Sequence, residues 1–105
     1  MYRATTPTHT FKMNIESSTL TEILVTYKQG DVTLEKHYQD GTLPPGMSLS
    51  GKNVAITLTQ EETLMFDPGK YVKTQMRVLT NGNEVFASRM FDINLFPVLN
   101  EEILS

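Results

Sequence analysis

Cysteine and tryptophan are both absent from this chain of 105 residues. Without cysteine there is no disulfide, no zinc–thiolate centre and no thiol nucleophile. The lack fits synthesis in a reducing cytoplasm. The disulfide and buried tryptophan that mark antibody domains are missing too, so an immunoglobulin label can describe architecture only. Long apolar runs are also lacking. MYRATTPTHTF at the N-terminus has no apolar core of a secretion signal, and no stretch approaches the roughly 20 apolar residues of a membrane span. Neither sign of charge dominates, with 9 Lys and Arg against 12 Asp and Glu, a net charge of −3. The closest basic grouping is Lys70, Lys73 and Arg77, too sparse for a phosphate-binding surface, so no nucleic acid is expected as partner. There is no Asn-X-Ser/Thr sequon, low-complexity tract or internal repeat.

What is present is alternation with period two, the signature of half-buried strands. His9, Phe11, Met13 and Ile15 share one face of Thr8–Ile15. Ile23, Val25 and Tyr27 share one face of Leu20–Lys28, and Leu24 on the other suggests partial cover there. Gln29-Gly30-Asp31 reads as a hairpin turn into Val32–Tyr38, where Val32, Leu34 and Tyr38 face one way and Thr33, Glu35 and His37 the other. Gln39–Lys52, rich in Gly and Pro, reads as a loop with a short extended piece at Met47–Leu49. Asn53–Thr59 is the cleanest strand. Lys70–Thr80 places Val72, Met76 and Val78 on one side, and Asn81-Gly82 suits a type I′ turn. The return strand spans about Asn83 to Leu95; Arg89 interrupts its apolar phase, which predicts a bulge near Ser88–Met90.

The most informative segment is LTQEETLMFDPGKY, Leu58–Tyr71. Thr59 followed three residues later by Glu62 is a capping box, in which side chain and backbone exchange two hydrogen bonds at the start of a helical turn. Pro68-Gly69 then turns the chain into the next strand. Together these signals predict an all-β fold: an antiparallel, immunoglobulin-like β-sandwich of six or seven strands with a one-turn helical connector near residues 60–66. One domain is expected over residues 1–97, followed by a tail over 98–105.

The residue types that carry chemistry are dispersed. His9 lies on an apolar strand face and His37 on a polar one, neither beside a nucleophile or carboxylate in sequence. Glu61-Glu62 and Glu101-Glu102 are neighbours rather than carboxylates facing across a cleft. Asp31, Asp40, Asp67 and Asp92 lack the spacing of a calcium loop. The glycines of the Gly41–Gly51 loop lack the Lys-Ser/Thr of a phosphate cradle, and Ser48 and Ser50 have no base partner. No catalytic, metal or cofactor-binding residue is assigned, no cofactor is expected, and the expectation is a protein without enzymatic activity. The tail PVLNEEILS instead carries Val98, Leu99, Ile103 and Leu104 beyond the last strand. They read either as a short segment resting on its own domain or as an apolar docking segment for a partner. Free strand edges offer a second route to association.

Ala4-Thr5-Thr6-Pro7, Leu58-Thr59 through Glu62-Thr63, Pro68-Gly69-Lys70-Tyr71 and Asn81-Gly82 carry a resemblance across most of Ala4–Leu95. The pattern resembles small proteins from prophage tail regions of Gram-positive bacteria, and looks like the N-terminal immunoglobulin-like domain of phage baseplate upper proteins. The resemblance implies a structural or assembly role in a phage tail or baseplate, with other tail subunits or further copies of the chain as partners. It implies no catalytic residues. In such proteins coiled-coil or receptor-binding modules follow; none is present here, which favours attachment or scaffolding over host-receptor binding. The protein would be cytoplasmic when synthesised and then incorporated in a particle. The alternative is a freestanding module that binds a glycan or small ligand through exposed aromatics, for which Tyr2, Tyr27, Tyr38 and Phe86 are the candidates.

Overall fold

The computed structural model describes all residues from Met1 to Ser105. Eight strands form: β1 (Thr8–Lys12), β2 (Leu20–Gln29), β3 (Val32–Gln39), β4 (Met47–Ser50), β5 (Asn53–Thr57), β6 (Tyr71–Thr80), β7 (Val85–Ala87) and β8 (Phe91–Asn94). A 3₁₀ turn at Ser17–Thr19 precedes β2, and one helical turn, α1 (Gln60–Thr63), precedes β6. The strands make two antiparallel sheets, one ordered β1-β5-β4 and the other β3-β2-β6, with both β7 and β8 paired to the far side of β6. The expected sandwich is therefore present. Its connectivity departs from that of antibody domains, where strands B and C lie in different sheets. Here β2 and β3, successive in sequence, form a hairpin within one sheet.

The core follows from the alternation. Ile23, Val25 and Tyr27 of β2 and Val72, Met76 and Val78 of β6 meet Phe11, Val54 and Ile56 from the three-stranded sheet. Leu58 and Phe66, on either side of α1, are fully buried and close one end. Burying such a side chain contributes about 1.5–3 kcal/mol each, so this cluster is the main stabilising element. The capping box forms as the sequence requires: Glu62 N–H donates to Thr59 Oγ1 (3.1 Å) and Thr59 N–H donates to Glu62 Oε1 (2.9 Å).

The expected bulge also forms, and it explains why one return strand becomes two. Arg77 faces Ala87 and Thr74 faces Phe91, so Ser88, Arg89 and Met90 oppose only Gln75 and Met76. Ser88 holds the irregularity. Its N–H donates to the Met76 carbonyl (2.8 Å), its hydroxyl accepts from Met76 N–H (3.0 Å), and its carbonyl accepts from the Gln75 amide (2.8 Å).

One turn differs from expectation. At Asn81-Gly82 the left-handed residue is Asn83 (φ 63°), and Asn83 N–H donates to the Thr80 carbonyl while Thr80 N–H donates to the Glu84 carbonyl. This is a three-residue loop, a type I turn closed by a left-handed residue, rather than a type I′ turn. The Thr80 hydroxyl accepts from the Gly82 and Glu84 amides and so favours it. The left-handed pair of a type I′ turn occurs at Asp40-Gly41 instead (φ 53° and 79°), inside the stretch read as loop.

Candidate functional site

Sheet order decides which flank of the sandwich is closed. On the β3–β4 flank, Lys36 lies on the inward face of β3 with Val32, Leu34 and Tyr38, and is only 7% exposed. Its ammonium donates to the Pro45 carbonyl (3.2 Å) and pairs with Glu62 at 2.6 Å. Glu62 thus uses one oxygen to cap α1 and the other to hold β3. Burial pushes its carboxyl upward, but the Lys36 ammonium and the Thr59 amide outweigh that and hold it below the usual carboxylate range. Sequence reasoning assigned Glu62 the cap alone and passed over Lys36. The only signal available was that Lys36 is in phase with Leu34 and Tyr38.

The opposite flank is open. β1 pairs only with β5, and β7 and β8 pair only with β6, so two free strand edges border one groove. Its upper part, about 300 Å³, is lined by Met13 and Ile15 from one sheet and Met76, Val78, Phe86 and Ala87 from the other. Its lower part, about 470 Å³, is lined by His9 and Phe11 facing Thr74, Phe91 and Ile93. Lys12, Met76 and Ser88 belong to both parts, so the two are continuous. Phe11 meets Phe91 edge-on at 6.2 Å across the lower part, and the Arg89 guanidinium lies 5.1 Å from the Phe91 ring centre.

These edges differ in how they are guarded against added strands. β3 carries Glu35, Lys36 and His37, and β4 is four residues long. β7 presents Val85, Phe86 and Ala87, all exposed and none charged. Charge, brevity and bulges are the ordinary guards of an edge. β7 is short and ends in a bulge, and it has no charge of its own, although Asp92 of β8 lies along the same side of β6; Lys12 stands at the groove's midpoint and Arg89 over the Phe91 ring. An uncharged edge beside an apolar groove suits β-augmentation, in which an extended segment adds a strand and seats alternate side chains in pockets.

The tail is separate from the groove. It has no regular structure and rests near α1: the Gln60 side-chain amide exchanges two hydrogen bonds with the Leu104 backbone (2.8 and 2.9 Å), and Arg3 pairs with Glu101. Val98 is half-buried, while Leu99 is fully exposed and Ile103 and Leu104 are exposed. The tail is thus held by polar contacts and leaves most of its apolar side chains in water.

The remaining sequence candidates sit as follows. His9 Nδ1 lies 2.9 Å from the Tyr27 hydroxyl, and burial lowers the His9 pKa and raises that of Tyr27 well above its ordinary value. Tyr27 is fully buried, as its strand face implied. His37 is exposed and meets Glu22 at 2.5 Å on the outer sheet face, outside any cleft. No three His, Asp or Glu side chains converge as a metal site would require. Tyr2 and Phe86 are exposed but do not pair with each other; Tyr2 instead packs on Phe96, ring centres 5.3 Å apart. No helix is long and apolar enough to cross a membrane. No family model matches the chain, and no curated protein matches it.

Proposed function

We propose that this protein is a non-catalytic docking module, a structural or assembly component of a phage tail or baseplate. The observation that carries the docking role is the open flank, where β1 and β7–β8 leave two free edges around a continuous apolar groove. A partner supplying an extended segment would satisfy the edge amides and carbonyls and cover Phe86, Met13 and Ile15 in the same step. The opposite flank, closed by the Lys36–Glu62 pair, keeps the two sheets in register while the open flank is used. The tail setting rests on the resemblance described above.

The test is mass spectrometry of particles released from the organism that encodes the chain. Peptides at stoichiometric abundance are expected, in a ratio to the other tail proteins that reports the symmetry of the assembly. Particles complete in those proteins but lacking this chain would contradict a place in the virion.

A further inference from the structure

We propose that the groove is occupied by the Val98–Leu104 segment of a second copy of this chain. This rests on the docking role proposed above and names its partner. Three features of groove and tail correspond. The first is length. The β1 side of the groove runs from His9 to Ile15, seven residues, extended as far as Lys12 and bending at Asn14 and Ile15. Val98–Leu104 is also seven residues.

The second is spacing. In an extended segment Leu99, Glu101 and Ile103 point the same way. Leu99 and Ile103 would enter the two apolar parts of the groove, leaving Glu101 at the junction, where Lys12 and Ser88 lie. The third is charge. The junction carries Lys12, with Arg89 next along the bulge, whereas the tail carries Glu101 and Glu102. The groove reads apolar, basic, apolar; the segment reads apolar, acidic, apolar.

The tail is available for this. Its ties to its own domain are the Gln60–Leu104 hydrogen bonds and the Arg3–Glu101 pair, in which Arg3 is mostly buried and Glu101 exposed, while Leu99, Ile103 and Leu104 stay exposed. Groove and tail are different surfaces. Two copies exchanging tails make a closed dimer, whereas one-way insertion makes rings or open chains.

The experiment is light scattering coupled to size-exclusion chromatography on the full chain across a concentration series, with folding of each variant checked by circular dichroism. Concentration-dependent association is expected. Leu99→Ser with Ile103→Ser should abolish it, and Lys12→Glu should weaken it at least about tenfold. Combining Lys12→Glu with Glu101→Lys in one chain should restore it. A chain that stays monomeric throughout, or association indifferent to the tail changes, overturns the proposal, as does failure of the charge-swapped double variant to recover. The docking role fails separately: it is contradicted if Phe86→Lys leaves incorporation into particles unchanged, whatever the free chain does.

Discussion

Replacing one partner of the Lys36–Glu62 pair tests whether the closed flank is held as described. Glu62→Gln preserves the cap, because glutamine also serves in a capping box. It removes the countercharge from an ammonium whose side chain is 9% exposed and whose other contact is the Pro45 carbonyl. Stranding a buried charge costs about 3–5 kcal/mol, and the partial exposure of the Glu62 side chain places the expected loss near 3 kcal/mol. Lys36→Met is asymmetric. It replaces the buried cation by an unbranched apolar side chain and leaves a carboxylate still bonded to the Thr59 amide and partly open to water, a loss of about 1–2 kcal/mol. The double variant, with no charge left stranded, should lose less than the two single losses summed. Urea unfolding followed by circular dichroism reads all three. With a slope of about 1.5 kcal/mol per molar, Glu62→Gln should lower the midpoint by about 2 M. Equal losses for the two single variants, or losses that simply add in the double, would show that the pair does not hold this flank as a buried charge and its countercharge.

Acid should weaken the fold in two stages. His9 is kept neutral by burial, so the unfolded chain takes up this proton first and stability declines below about pH 6.5 until His9 also protonates in the folded state. Glu62, held below the usual carboxylate range, contributes fully above that range and loses its contribution as pH falls through its own lowered pKa. In urea midpoints measured against pH, His9→Gln should flatten the upper stage and Glu62→Gln the lower; an unchanged profile in both would contradict this. Gly46→Ala should destabilise by more than about 2 kcal/mol, because the new Cβ would lie 2.3 Å from the Thr57 carbonyl oxygen at φ +84°. Gly30→Ala, at φ +57° with no atom within 4 Å of its Cβ, should cost less, and thermal melts of the two variants compare them. Deleting Pro97–Ser105 should leave the melting temperature nearly unchanged and weaken association, as read by calorimetry and light scattering.

Features set by near neighbours in sequence were legible. Thr59 and Glu62 are three residues apart, so the capping box could be read directly, and the misplaced phase at Arg89 located the bulge. The Asn81-Gly82 turn was legible as a turn but not in type, because the Thr80 hydroxyl and the left-handed tolerance of Asn83 shift the loop by one residue. Lys36 could not be read as buried: its partners, Pro45 and Glu62, lie on other elements, and only the sheet order brings them over β3. The groove was invisible for the same reason. Period-two alternation tells which side chains face inward, but not that β1 and β7–β8 would share an uncovered flank. The tail residues Val98, Leu99, Ile103 and Leu104 stood out by composition alone, while the Gln60–Leu104 clasp joins side chain to backbone across 44 residues.

Docking through the open flank can be followed by amide hydrogen exchange on the chain alone and within its assembly. New protection is expected at the outward-facing amides of β1, β7 and β8, with β3 and β4 unchanged. Protection confined to the β3–β4 flank, with β7 and β8 exchanging as in the free chain, would contradict it.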